Sequence, residues 1–275
     1  MKHTFLSILT IFFCLSLAAQ ENKHFSWWNP ANHEFNVIDN QGWPDDKISH
    51  YDRLPERAKD KVRDAVWNLS KHAAGLKIRF RSNSKNIVIR YQVNGKYEMP
   101  HMPATGVSGV DMYAKNSDGD WLWLRGRYSF GDTIQYNFFE INPKDTYHEN
   151  GREYLLYLPL YNSIKWLEIG YEDGTHFEPL PIRPEKPIVV YGTSIAHGAC
   201  ASRPGMAWAS ILERKMDRPL INLGFSGNGR LENEALDFIS EIDAKLYVLD
   251  CLPNLTPTKN RTADEVRKLI IEAVK

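Results

Sequence analysis

The chain has 275 residues, 43% hydrophobic and 25% charged, a balance that excludes an intrinsically disordered polypeptide. Lys+Arg and Asp+Glu are equal at 34 each, so net charge gives no reason to expect nucleic acid or an anionic membrane as partner. Eight Trp and thirteen Tyr form a large aromatic load, of the kind that fills β-sandwich cores and also stacks on sugars in clefts.

The first nineteen residues have the pattern of a signal peptide. Lys2 and His3 are followed by an apolar run from Phe5 to Leu15, and Leu17-Ala18-Ala19-Gln20 offers small residues for cleavage. The run is short for a membrane span and polar residues follow at once. The expectation is export to the periplasm or beyond, with no membrane attachment after cleavage. Removing residues 1–19 takes Cys14 away and leaves Cys200 and Cys251. In an oxidising compartment these two could form a disulfide or remain as two buried thiols, and the sequence leaves both open.

From about residue 25 to 182 the signals are those of strands and turns. A helix is expected over 55–70. Leu76-Lys77-Ile78-Arg79-Phe80 then alternates apolar and charged residues, and the run Ile87 to Val93 has a similar rhythm. Trp121 to Leu124, Tyr154 to Leu158 and Trp166 to Tyr171 follow, separated by Asp118-Gly119-Asp120, Glu149-Asn150-Gly151 and Glu172-Asp173-Gly174. Short strands at such intervals predict a β-sandwich over 20–182.

Pro179, Pro181, Pro184 and Pro187 mark a stiff connector, and the pattern changes after it. Ile188 to Tyr191 is a continuous apolar run suited to a strand buried on both faces. A helix over 207–216, a strand over 220–223, a helix over 232–239, a strand over 245–250 and a helix over 262–274 follow. That alternation predicts a parallel α/β sheet over 183–275.

In such a sheet, ligands collect beyond the carboxyl ends of the strands. Three ends carry small or polar residues: Gly192-Thr193-Ser194, the turn Gly224 to Gly229, and Cys251-Leu252-Pro253-Asn254. A serine hydroxyl, a glycine-rich turn and a side-chain amide together supply what acyl transfer needs, a nucleophile and oxyanion donors. Taken singly, each is ordinary cap or turn chemistry. Competing motifs fail on residues. Arg230-Leu231 stands where a phosphate loop needs Lys-Ser/Thr, and Ala196 breaks the Gly-x-Ser-x-Gly elbow.

Val190-Tyr191-Gly192-Thr193-Ser194-Ile195 resembles the first block of the SGNH (GDSL-type) hydrolases, with Thr193 where many members carry Asp. The stretch from Asn222 to Gly229 resembles the second block, with Gly227 at the oxyanion glycine. Asp250-Cys251-Leu252-Pro253-Asn254 resembles the third, with Asn254 at the oxyanion asparagine. Upstream, Gly109-Val110-Asp111-Met112-Tyr113 is similar to the Gly-x-Asp-Leu-Tyr signature of a β-rich domain that precedes some SGNH esterases.

The resemblance implies an N-terminal β-sandwich followed by a flavodoxin-like three-layer α/β/α domain. It implies ester hydrolysis without a metal or organic cofactor, commonly deacetylation of carbohydrates in exported members. Ser194 would be the nucleophile, with Ser194, Gly227 and Asn254 as the oxyanion hole. The family's Asp-x-x-His, carrying the general base, has no counterpart after Ser194. The expectation is therefore a hydrolase domain represented by its N-terminal part, weakly active or inactive, with an exposed apolar sheet edge.

Thr193 and His197 are candidates to line the cleft. His197 is expected as a solvated or capping residue beside Ser194 rather than as the base. His101, His148 and His176 belong to the β-rich half, where surface or turn roles are expected. Asp111 and Tyr113 either line the cleft or hold a turn after Gly106 to Gly109, the turn being preferred. The alternative to an esterase is a non-catalytic carbohydrate-binding protein, separated from it by whether a histidine base reaches Ser194.

Overall fold

The protein is described here from a computed structural model covering residues 24–259 and 261–275. The expected signal segment, with Cys14, lies outside the described residues.

The N-terminal half is a sandwich of two antiparallel sheets. In chain order its elements are β1 (Phe25–Trp28), β2 (Ile38–Asp39), α1 (Asp64–Ser70), β3 (Lys77–Ser82), β4 (Ile87–Val93) and α2 (Ala104–Val107). They continue through β5 (Asp111–Lys115), β6 (Trp121–Leu124), β7 (Arg127–Ser129), β8 (Ile134–Phe138), β9 (Arg152–Tyr157), β10 (Ile164–Glu172) and β11 (Phe177–Pro179). One sheet has the order β1-β10-β4-β8-β7; the other has the order β11-β3-β9-β5-β6, with β2 paired to β3. Strand alternation sends Ile78, Phe80, Met112, Tyr154 and Leu156 of one sheet against Ile87, Ile89, Tyr136, Leu167 and Ile169 of the other, forming a single apolar core.

The expected helix over 55–70 is broken. Glu56–Ala58 makes a single 3-10 turn, Asp60 takes a left-handed φ of 65°, and the α-helix starts only at Asp64. A residue in that conformation cannot continue a right-handed helix, so the segment bends.

The C-terminal half contains β12 (Ile188–Gly192), α3 (Ser194–His197), α4 (Trp208–Met216), β13 (Leu220–Gly224), α5 (Asn233–Ser240), β14 (Leu246–Asp250) and α6 (Ala263–Ala273). Its three strands are parallel in the order β13-β12-β14. Ile188, Val190 and Leu220 face α3 and α4 on one side. Val189, Tyr191, Ile221 and Leu223 face α5 and α6 on the other, giving three layers. Thr262 caps α6 through a reciprocal pair with Glu265, which fixes where that helix starts.

This second core also takes Leu54, Ala58, Val62 and Val66 from the N-terminal half. The sandwich likewise uses its outer face. All six residues of β9 are buried, because the C-terminal half covers the side that alternation would otherwise give to solvent. At the outer edge, β14 is far less covered than β12 or β13, with Leu246 52% and Tyr247 43% exposed. No described helix is long and apolar enough to cross a membrane.

Candidate active site

The three expected turns leave the sheet at one level. Gly192 of β12 is in register with Gly224 of β13 and Asp250 of β14, so Thr193, Phe225 and Cys251 begin their turns side by side. Backbone bonds tie these turns together. The Thr193 N–H donates to the Asp250 carbonyl at 3.1 Å, and the Phe225 N–H donates to the Gly192 carbonyl at 2.9 Å. Gly229 lies so close to Gly192 that a Cβ there would sit 2.0 Å from its carbonyl oxygen, which requires glycine. The Asn254 amide donates to the Gly229 carbonyl at 3.3 Å and so joins the third turn to the second.

Ser194 opens α3, whose N-cap is Thr193. The Thr193 hydroxyl accepts from the Ile195 N–H at 3.3 Å and the residue is buried, so it holds the helix start and does not line the cleft. Ser194 is half-exposed, and its hydroxyl has no hydrogen-bond partner among the described residues. Its N–H, at the first position of a helix, has no intrahelical acceptor. Gly227 is exposed with φ of 71° at the tip of the second turn, with open space around it. These residues together place an unbonded hydroxyl and an exposed glycine turn at one strand edge.

His197 departs from expectation. It is fully buried rather than solvated, and it turns away from the cleft into the contact between the halves. Its Nε2 is 2.7 Å from the Leu160 carbonyl, and its ring stacks on Tyr161 at 4.1 Å. Burial, with Arg53 and His72 nearby, holds it well below the ordinary histidine range, hence neutral. One turn of helix does not keep residues three apart on the same exposed surface once a neighbouring domain covers it. Tyr161 supports the site from below: its hydroxyl donates to the Ser194 carbonyl at 3.4 Å and meets the Ser226 side chain.

Sequence reasoning missed Arg53 and His72. The Arg53 guanidinium donates to the carbonyls of Leu69 (2.7 Å), His72 (2.8 Å), Gly224 (2.9 Å) and Asn222 (3.0 Å), and lies over the Phe225 ring. It pins the end of β13 to the N-terminal half. Burial pushes it down to about 9, still cationic at neutral pH. Burial, then Arg53, lowers His72 to about 4. A lone arginine in a loop carries no local signal for either role.

Asp111 and Tyr113 neither line the Ser194 cleft nor hold a turn. Both lie on β5 and point the same way, into the C-terminal half. The Asp111 carboxylate accepts from Trp123 Nε1 at 2.7 Å and the Gly205 N–H at 3.0 Å, and pairs with Arg203 at 3.1 Å. Tyr113 packs on Gly205 so closely that a Cβ there would lie 2.4 Å from its ring. The signature stretch is thus a latch on the segment that follows α3.

Burial raises Asp111 to about 6, against the pull of Arg203. A folded carboxyl raised above its unfolded value of 3.8 binds its proton more tightly when folded. Its contribution to stability is therefore present below about pH 4 and falls as pH rises toward 6. Asp111→Asn is expected to remove that slope from stability measured by urea unfolding at several pH values. Equal slopes in variant and parent would contradict the assignment.

The two cysteines are free rather than bridged. Cys251 is buried under the sheet, with Sγ 3.6 Å from the Tyr191 carbonyl, and burial pushes its thiol up to about 12. Cys200 is exposed, with φ of 63° just past α3. In the chain lacking residues 1–19, a thiol reagent is expected to label Cys200 in the native protein and Cys251 only after unfolding. Cys200→Ser should abolish native labelling; protection of both thiols until reduction would restore the disulfide.

Residues 25–177 match the family model described as the N-terminus of Esterase_SGNH_hydro-type, and residues 185–275 match the GDSL-like Lipase/Acylhydrolase family. No curated protein matches. Among solved structures, a Bacteroides ovatus ATCC 8483 protein described as a GDSL-like lipase is 31% identical. That match has a TM-score of 0.77 and covers 90% of this chain and 71% of the other. The salicylyl-acyltransferase SsfX3 from a tetracycline biosynthetic pathway shares the fold at 16% identity and a TM-score of 0.64, over 90% of this chain and 80% of its own. The β-rich signature domain, the register-aligned turns and these matches agree: the chain belongs to the GDSL-like (SGNH) lipase/acylhydrolase family of ester hydrolases.

Proposed function

We propose that Ser194 is the nucleophile of an exported carboxylester hydrolase acting on O-acetylated carbohydrates. The reading is carried by one observation: an unpartnered serine hydroxyl shares a strand edge with the outward Gly227 turn and the Asn254 amide. In the first step the Ser194 oxygen bonds to the acyl carbon and its proton passes to a base. The carbonyl oxygen becomes an oxyanion, held by the N–H groups of Ser194 and Gly227 and by the Asn254 amide. Collapse expels the alcohol, which takes up a proton, and water repeats the sequence to release the acid.

The carbohydrate substrate rests on the family resemblance, as does export after cleavage near Gln20. The domain division at 182/183 is supported by family matches that end at 177 and resume at 185. Among the described residues no histidine or carboxylate bonds to the Ser194 hydroxyl, so turnover by these 275 residues should be weak. That same observation favours the second reading, a glycan-binding protein without turnover.

Acetate release from an aryl acetate and from an acetylated polysaccharide, compared with Ser194→Ala, separates the two. A slow release lost in the variant supports the esterase; saturable glycan binding with identical background release supports the binding protein.

A further inference from the structure

A cavity of about 280 Å³ lies between the outer face of the β3-β9-β5-β6 sheet and the end of α4. Its walls include Arg183 and Glu185, which lead into the start of β12, and Asp217, which leads into β13. It therefore sits by the amino ends of the parallel strands, a strand's length or roughly 13 Å from the Ser194 edge. Nothing in the proposed ester chemistry uses it.

The walls are strongly polar. Trp121, Leu155 and Pro184 are the only lining residues without a charge, which suits a hydroxylated ligand and disfavours an acyl chain. The charges pair unequally. Lys77 pairs with Glu213, Arg79 with Glu153, and Arg183 with Glu185 and Asp217. That uses every lining carboxylate. Lys115 and Arg214 remain with no carboxylate within 4 Å among the described residues.

Arg214 is partly balanced by the Asp111 carboxylate, which it pulls down against burial, and by a hydrogen bond with Tyr157, whereas Lys115 has aromatic rings beside it. The Lys115 ammonium lies 5.3 Å from the Trp121 ring centre and 5.5 Å from that of Tyr147. Arg214 donates to the Gly205 carbonyl and lies over the Tyr113 ring at 3.9 Å. Among the lining groups, Lys115 and Arg214 are the two cations without a carboxylate within 4 Å, while Arg79 also meets Asp39, outside the lining, at 3.9 Å. Two cations left in this way fit a single carboxylate between them. The Trp121 ring beside Lys115 supplies a flat apolar surface next to the charge.

We propose that this cavity binds a hexuronate unit of a polysaccharide, its carboxylate between Lys115 and Arg214 and its ring against Trp121. The site is independent of the ester reaction at Ser194, so either assignment can fail alone. Calorimetric titration with methyl glucuronide and methyl glucoside tests it directly. The glucuronide is expected to bind about tenfold more tightly, with the difference shrinking in high salt.

Lys115→Ala and Trp121→Ala should each weaken glucuronide binding by about fivefold to tenfold, while Asn254→Ala, at the other strand edge, leaves it unchanged. Both lining substitutions are on the sandwich rim, and unchanged circular dichroism would show that they fold. Equal affinity for the two glycosides, no saturable binding of the glucuronide, or binding lost in Asn254→Ala but kept in Lys115→Ala would overturn the proposal.

Discussion

Replacing Glu213 by leucine is expected to destabilise the protein by about 3–5 kcal/mol, because it leaves the buried Lys77 ammonium without its partner. Lys77 is 2% exposed and Glu213 3%, and the two meet where α4 packs on the sandwich. Glu213 also accepts from the Asn40 amide at 3.0 Å and the Tyr157 hydroxyl at 2.9 Å, so the change strands three donors at once. The nearby Asp39 carboxyl, raised by burial and opposed first by Lys77, takes up part of the loss. The double variant Lys77→Met/Glu213→Leu removes both charges and should return to within about 1–2 kcal/mol of the parent. Urea unfolding of the single and double variants checks this; a single variant as stable as the double would refute the coupling.

The second large effect is expected at Arg53. Arg53→Met keeps the length of the side chain but removes the guanidinium donors to the carbonyls of Leu69, His72, Asn222 and Gly224, of which Leu69 retains the His72 N–H. Leaving buried acceptors unpaired should cost about 3 kcal/mol or more. The loss has a local signature. Gly224 begins the turn that carries Gly227, and the Phe225 N–H bond to Gly192 holds that turn to β12. Hydrogen exchange at the Phe225 amide should therefore accelerate more than exchange in the sandwich core. Arg53→Lys should recover only part of the stability, since one ammonium cannot span four carbonyls. Uniform acceleration across the protein would mean that Arg53 acts on global stability alone.

Much of the fold was legible because its cores obey simple periods. Ile78 to Arg81 alternates in sequence and alternates in burial in the sheet; Ile188 to Tyr191 is apolar throughout and buried throughout. The three turns at the strand edge could be aligned in advance because a parallel sheet presents its carboxyl ends together. Their contents were readable as motifs.

The misreadings share one physical cause, contact between the two halves. His197, Asp111 and Tyr113 are polar residues near the expected site, where the sequence alone points to solvent, cleft or turn. In the structure each is buried against the opposite half, as are Arg53 and the outer face of β9. No local pattern marks a residue whose partners lie 37 (His197), 94 (Asp111) or 169 (Arg53) positions away. The broken helix after Pro55 has a different origin, a left-handed Asp60 that helical periodicity does not reveal.

The proposed role of Ser194 is that of a nucleophile set among oxyanion donors, with no base within hydrogen-bonding reach of its hydroxyl among the described residues. Its most direct test is hydrolysis of an aryl acetate by the protein and by Ser194→Ala, across a series of added imidazole concentrations. The account predicts a small rate difference between the two proteins that grows with free imidazole, which supplies the missing base to Ser194 and leaves the variant at background. Identical rates at every imidazole concentration would contradict it.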